Sequence, residues 1–190
     1  MALALAKKYP LFQREGKMNW DAQFIGEEMR DKPTSIIGLG DIGSKLAEML
    51  ESVIDTKEIC YYSHNKNKKY HYMEFADMLA RAEYMFVTIS KNPESLALFD
   101  DLSKFNKNMK IIITANGFEE VAERLAKKCE KGELGGVAFE SNNLDREFKS
   151  NVFVTPPNAY YTKEALIKMF EIWTETTISA STKTPQNVIN

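Results

Sequence analysis

Three glycines at the spacing Gly38-x-Gly40-x-x-Gly43 follow the apolar run Ile36-Ile37 and open the helix-forming stretch Ser44-Lys45-Leu46-Ala47-Glu48-Met49-Leu50. Each glycine in such a turn has its own task. The first allows the tight turn, the second lets backbone approach a pyrophosphate with no Cβ in the way, and the third lets the helix pack closely on the strand. Asp41 and Ile42 then fall at a helix N-terminus, whose unpaired N–H groups and partial positive charge suit an anion. A turn of packing value alone is the alternative, and the strand before it and helix after it favour the anion cradle.

A second polar cluster follows the next apolar run, where Tyr61-Tyr62 leads into Ser63-His64-Asn65-Lys66-Asn67-Lys68-Lys69. A dinucleotide site that prefers NAD places an Asp or Glu about 20 residues beyond the glycines, to bind the ribose 2′-hydroxyl. This segment has no carboxylate. A small hydroxyl at Ser63, with His64 and Lys66 beside it, suits a 2′-phosphate that a carboxylate would repel. The expected cofactor is therefore a nicotinamide dinucleotide, NADP favoured over NAD; the alternative reading of the lysines is a solvated basic loop.

Other chemistry is sparse. The cysteines Cys60 and Cys129 are too far apart for a C-x-x-C pair or a metal-ligand spacing, so no metal site is expected and both read as reduced structural residues. A formal net charge of -2 argues against a nucleic-acid or anionic-membrane partner. No apolar run approaches the roughly 20 residues of a spanning helix, and lysines follow the opening Ala-Leu stretch, the reverse of a signal peptide's order. A cytoplasmic protein is the expectation.

The elements that would position these residues alternate along the chain. Strands are expected at Thr34 to Ile37, Ile59 to Tyr62, Tyr84 to Ile89, Met109 to Ala115, Val137 to Phe139 and Val152 to Thr155. Helices are expected at Ile42 to Ser52, Met73 to Ala82, Pro93 to Phe105 with a break near Asp100 and Asp101, Glu119 to Lys131 with Gly132 as its stop, and Thr162 to Ile178, whose start resembles an N-cap followed by a buried face. A first segment, Ala2 to about Trp20, reads as a helix that kinks or restarts at Pro10. Strands apolar on both faces alternating with helices predict an α/β fold, a doubly wound parallel sheet in three layers. With 190 residues, one domain spanning 1–190 is expected, 1–20 being a linking segment and 179–190 a polar tail.

On these residues the chain resembles the NAD(P)-binding domain of the D-isomer-specific 2-hydroxyacid dehydrogenase family. Beyond the glycine turn, the likeness runs through the opening helix ending in Asn19-Trp20, Asn92-Pro93-Glu94-Ser95, Ile113-Thr114-Ala115-Asn116-Gly117, Lys131-Gly132-Glu133-Leu134-Gly135-Gly136, Val154-Thr155-Pro156 and Pro185-Gln186-Asn187-Val188-Ile189-Asn190. Ser63 to Lys69 is similar to the serine-plus-basic segment of the family's glyoxylate and hydroxypyruvate reductases. The resemblance implies that Ser90, Pro93, Thr114, Ala115 and Asn116 also line the cofactor site. It further implies a small 2-keto acid as substrate and a homodimer built on the first helix, with Leu3, Leu5, Tyr9, Leu11, Phe12 and Trp20 as apolar candidates for the interface.

The family's chemistry uses an arginine for the carboxylate and carbonyl, a histidine proton donor and an acidic residue that orients it. Asn116, Asn143 and Pro157 stand at the matching positions, and both histidines, His64 and His71, lie near the second strand. Tyr160, Tyr161 and Lys163 could in principle supply a proton; ordinary amphipathic residues at a helix start are the simpler reading, and their spacing is not the Tyr-x-x-x-Lys of short-chain reductases. An S-adenosylmethionine methyltransferase shares a glycine-rich first turn, but Ser63 stands where it would carry an acid. Two readings stay open: a dinucleotide-binding module with lost or impaired catalysis, and the cofactor-binding part of an active NADP-dependent 2-keto acid reductase.

Overall fold

The computed structural model describes residues 1–64, 66, 69–145, 147–182 and 186, and the chain divides into two compact units, Met1–Pro156 and Pro157–Asn190. The first unit is built on seven strands: β1 (Thr34–Ile37), β2 (Ile59–Tyr62), β3 (His71–Tyr72), β4 (Tyr84–Val87), β5 (Lys110–Ile113), β6 (Gly136–Glu140) and β7 (Val152–Thr155). Its helices are α1 (Ala2–Ala6), α2 (Tyr9–Glu15), α3 (Asp41–Ser52), α4 (Phe75–Arg81), α5 (Pro93–Ala97) and α6 (Glu119–Glu130), with short 3-10 turns at Ala22–Phe24 and Leu102–Lys104. All strands pair in parallel in the order β3-β2-β1-β4-β5-β6-β7, which is the doubly wound α/β arrangement expected from the alternating pattern. The strand order reverses between β1 and β4, and the crevice at that switch point lies outside the carboxyl ends of the strands.

Successive residues of each inner strand feed opposite cores, because side chains alternate across a sheet. Ile36, Phe86, Ile112 and Ala138 join one core with Leu5, Ala47, Leu50 and the buried Tyr61 and Tyr84. Ile37, Val87, Ile111, Ile113 and Phe139 join the other with Met78, Leu79 and the α6 residues Val121, Ala122, Leu125, Ala126 and Cys129. Each fully buried aliphatic side chain here contributes about 1.5 to 3 kcal/mol. Gly132, at φ 72, follows α6 in the left-handed conformation, and its amide donates to the Cys129 carbonyl at 3.0 Å, the expected stop.

The amino-terminal segment breaks earlier than its proline suggests. Lys8, at φ 52, separates α1 from α2, and Pro10 sits in the first turn of α2, where its missing N–H costs no hydrogen bond. Gly16, at φ 68, then ends α2, short of Trp20. Leu5 is buried in the unit's own core, Phe12 packs on Phe24 at 5.0 Å and Tyr9 meets Phe153 edge-on at 6.2 Å, while Leu3, Tyr9 and Trp20 remain exposed. The buried Asn151 pins α1 to the sheet, donating from Nδ2 to the carbonyls of Leu5 and Gly135, each at 3.1 Å.

The second unit holds α7 (Lys163–Ser181), capped by Thr162, whose Oγ1 accepts from the Ala165 amide at 3.2 Å. The cap is as expected; the buried face is not. Ile167, Phe170, Trp173 and Ile178 are exposed, and Ser179 is the buried residue of the helix. Ser179 to Ser181, expected in a polar tail, complete α7, and residues 183–185 and 187–190, with most of the closing Pro185 to Asn190 likeness, lie outside the described residues.

Candidate dinucleotide site

The glycine turn leaves β1 with its backbone tied to both neighbouring strands. The Gly38 amide donates to the Tyr62 carbonyl at 2.8 Å, and the Thr88 amide donates to the Ile37 carbonyl at 2.8 Å. Thr88 Oγ1 donates to the carbonyls of Gly38 at 2.5 Å and Ile37 at 3.1 Å. Gly38 has φ 92, and a Cβ there would stand 2.7 Å from the Ile89 backbone. At Gly43 a Cβ would come 2.1 Å from the Gly38 carbonyl oxygen and 2.9 Å from Thr88 Oγ1, so only glycine lets α3 rest on the turn. Gly40 is different: a Cβ there meets nothing within 4 Å.

That open space is what a pyrophosphate needs. Gly40, Asp41 and Ile42 are exposed, and no side chain caps α3, so the first amides of this helix keep their donors for a ligand. Asp41 lies in the first turn, where its charge is favourable to the helix dipole. Gly38 and Gly43 thus have the turn and packing tasks that their spacing predicts, and the space beside Gly40 is open.

At the end of β2, Ser63 is half-buried and His64 and Lys66 are exposed. His64 Nε2 lies 3.8 Å from a Glu94 carboxylate oxygen, joining this loop to the first turn of α5, and Lys66 Nζ stands 4.7 Å from the centre of the Tyr72 ring. Lys69 is drawn away toward α3: it pairs with Glu51 at 2.8 Å and donates to Tyr70 Oη at 2.9 Å, and the Glu51 and Tyr70 hydrogen bonds raise its pKa. Asn65, Asn67 and Lys68 lie outside the described residues.

The loop after β4 is held by a reciprocal cap. Asn92 Oδ1 accepts from the Ser95 amide at 2.8 Å, the Asn92 amide donates to Ser95 Oγ at 2.9 Å, and Ser95 Oγ donates to the Ser90 carbonyl at 2.9 Å. Pro93 takes the first helical position of α5. After β5, Thr114 Oγ1 donates to the Val87 carbonyl at 3.3 Å, Ala115 packs against the core, and Asn116 is exposed. Ser90, Pro93, Thr114, Ala115 and Asn116 therefore share the carboxyl ends of adjacent strands with the glycine turn. Asn143 lies beyond β6, its amide donating to Ser141 Oγ at 3.0 Å and its Oδ1 accepting from the Asp145 amide at 3.2 Å. Pro157, Tyr160, Tyr161 and Lys163 belong to the second unit.

The contacts of Thr88, Lys91 and Gly117 escape a reading of the sequence. Their signals are small: a hydroxyl at the end of the apolar run Tyr84 to Val87, a cation directly before Asn92-Pro93, and a glycine after Asn116.

The family described as D-isomer specific 2-hydroxyacid dehydrogenase, NAD binding domain, matches residues 1–162. The chain belongs to this family. It is 27% identical over 180 residues to 2-hydroxyacid dehydrogenase homolog 1 of Schizosaccharomyces pombe, covering 80% of this chain and 54% of that protein. It is also 27% identical over 185 residues to D-3-phosphoglycerate dehydrogenase of Synechocystis, covering 89% of this chain and 33% of that one. The chain thus spans about half or less of the length of these two relatives. The fold is shared with solved structures, among them an acyclic imino acid reductase in complex with NADPH and D-Arg, at a TM-score of 0.80, 22% identity, and coverage of 100% of this chain and 65% of that one. A D-isomer specific 2-hydroxyacid dehydrogenase from Lactobacillus delbrueckii ssp. bulgaricus, in its NAD complex, matches with a TM-score of 0.80 and 20% identity, over 100% of this chain and 66% of that one. The chain is a nicotinamide-dinucleotide-binding domain of the Rossmann type, and no helix among its described residues is long and apolar enough to cross a membrane.

Proposed function

We propose that this chain is an NADP-preferring dinucleotide-binding module whose own reduction chemistry is lost or impaired. The observation that carries the cofactor preference is the end of β2, where half-buried Ser63 takes the place of a carboxylate and His64 and Lys66 follow it. A ribose 2′-phosphate gains hydrogen bonds and charge attraction there, whereas a 2′-hydroxyl finds no acidic acceptor on the strand. Glu94, the carboxylate near His64, sits on α5 and is turned to that imidazole.

The loss of chemistry rests on Asn116, Asn143 and Pro157. None of these side chains donates or accepts a proton near neutral pH, and none carries a charge to hold a carboxylate. The second reading, part of an active reductase of small 2-keto acids, is favoured by one observation: the chain spans only 54% of the Schizosaccharomyces pombe relative, so further groups could be supplied from outside it.

Calorimetric titration with NADPH and NADH tests the first reading, followed by assays of glyoxylate and hydroxypyruvate reduction. NADPH binding tighter than NADH, with no turnover, is the expected result. Turnover of roughly 1 to 1,000 per second would establish the reductase instead. Equal affinities would remove the preference, and no binding of either dinucleotide would remove the module.

The same reading includes a homodimer and a cytoplasmic setting. Leu3, Tyr9 and Trp20 are exposed apolar residues of the amino-terminal segment and favour a partner there, though Leu5 and Phe12 are already used within the unit. A monomer in sedimentation at micromolar concentration would exclude the dimer. The free cysteines Cys60 and Cys129 suit a reducing compartment.

A further inference from the structure

Lys91 stands between two residues that are both anchored to one buried hydroxyl. Ser95, 2% exposed, donates from Oγ to the Ser90 carbonyl and accepts the Asn92 amide on the same oxygen, each at 2.9 Å. The backbone carrying Lys91 is therefore fixed on either side. Its stem runs across the loop after β5. A Cβ built on Gly117 would stand 2.4 Å from Lys91 Cδ and 3.4 Å from its Cγ and Cε. Gly117 also has φ 83, so the space above it is kept for the lysine both by backbone conformation and by contact.

A lysine so laid spends its methylenes on a packed surface and leaves its ammonium at the end of the stem. Lys91 is exposed, and among the described residues its ammonium has no hydrogen bond or ion pair. A stem packed beside Gly117 with an ammonium that has no partner among the described residues can take an anion. The strand order says where along the crevice that anion would lie. The 2′ position of the ribose belongs at the end of β2 and the pyrophosphate at the turn after β1, so the reacting ring of a dinucleotide extends to the opposite side, over β4 and β5. Lys91 and Asn116-Gly117 are on that side.

We propose that Lys91 binds the carboxylate of a small 2-oxo acid beside the reacting end of the dinucleotide, with the exposed Asn116 amide as a neighbouring hydrogen-bond donor. The assignment rests on the dinucleotide reading of the crevice, and it makes the module a receptor for two ligands even without turnover. A carboxylate on an ammonium is a charge-assisted pair, so its loss is felt in affinity.

The test titrates oxamate, an unreactive 2-oxo acid analogue, into the full chain saturated with NADPH. The wild-type complex is expected to bind oxamate, Lys91→Met to weaken it about tenfold or more, and Lys91→Arg to stay within about threefold, since a charge-assisted bond is lost in the first and kept in the second. NADPH affinity should be unchanged in both variants. The proposal is overturned if Lys91→Met binds oxamate like wild type, if it loses NADPH affinity by the same factor, which would make Lys91 a cofactor-phosphate contact, or if the wild-type NADPH complex binds no oxamate. Failure of the wild-type chain to bind either dinucleotide is a separate result, which overturns the underlying reading and this assignment with it.

Discussion

The Gly38 carbonyl oxygen receives the Thr88 hydroxyl at 2.5 Å and lies against Gly43, where a Cβ would approach it to 2.1 Å. One atom thus joins β1, the end of β4 and the first turn of α3. Gly43→Ala cannot be absorbed by a side-chain rotation because its clash is with backbone. The variant is expected to lose about 1 to 3 kcal/mol of stability, the usual cost of overpacking, and to bind dinucleotide more weakly as α3 is pushed outward. Urea denaturation and NADPH titration of the same sample measure both; an unchanged midpoint would mean that α3 does not rest on this carbonyl.

Gly40→Ala separates binding from folding. Nothing lies within 4 Å of a Cβ at this position, so stability should stay within about 0.5 kcal/mol of wild type. The methyl group would occupy the space the pyrophosphate needs, and NADPH affinity should fall about tenfold or more. Wild-type affinity in this variant would place the phosphates elsewhere.

The packing task of Gly43 was legible in the sequence because it is local to one turn. The spans Thr34–Ile37, Ile59–Tyr62 and Val152–Thr155 were legible for a similar reason: each is a short β-prone run that ends at a polar or turn-forming residue. His71–Tyr72 was not, since a two-residue edge strand with an exposed histidine has no periodicity to read. The contacts of Thr88 and Lys91 were hidden more deeply. Thr88 matters because β4 lies beside β1, and Lys91 because its stem crosses the loop after β5, relationships of strand order that no local pattern encodes. The face of α7 misled for the opposite reason: its apolar periodicity is genuine, yet Phe170 and Trp173 are exposed.

Ser63→Asp tests the cofactor preference at its source. A carboxylate at the end of β2 would accept hydrogen bonds from a ribose 2′-hydroxyl and repel a 2′-phosphate. The ratio of NADPH to NADH affinity is expected to fall about tenfold or more, with charge repulsion and a lost hydrogen bond acting together. A ratio that does not move would show that Ser63 does not face the ribose.

Glu27 and Lys110 predict how the first unit responds to acid. Lys110 is buried and lies 2.6 Å from Glu27, which also accepts from the Tyr84 hydroxyl at 2.5 Å. Burial pushes the Glu27 carboxyl up, but hydrogen bonds from Lys110 and Tyr84 and the charges of Lys110 and Lys32 outweigh it and hold the group below its ordinary range. A folded pKa below the unfolded one gives stability that is complete above the unfolded value, about 4.3, and is lost as pH falls through the folded one. Glu27→Gln should therefore flatten the loss of stability in acid. At pH 7 it should cost up to about 3 to 5 kcal/mol by leaving the Lys110 charge buried and unpaired, less to the extent that Glu27 is itself 28% exposed. Adding Lys110→Met should recover part of that cost; urea midpoints identical to wild type at pH 7 and pH 3.5 would contradict the network.

Cys129 offers a probe of how the core opens. Burial, followed by the charge of Glu130, pushes its thiol up to about 12. At pH 8 the thiol is then almost wholly protonated, and alkylation needs both ionisation and access. In a Cys60→Ala background, iodoacetamide should label Cys129 only through unfolding, because the residue packs in the same core as Val121, Leu125 and Ile111. The labelling rate should rise with urea along the slope of global denaturation. Rapid labelling in native buffer, with no dependence on urea, would mean that α6 detaches from the sheet without the rest of the unit unfolding.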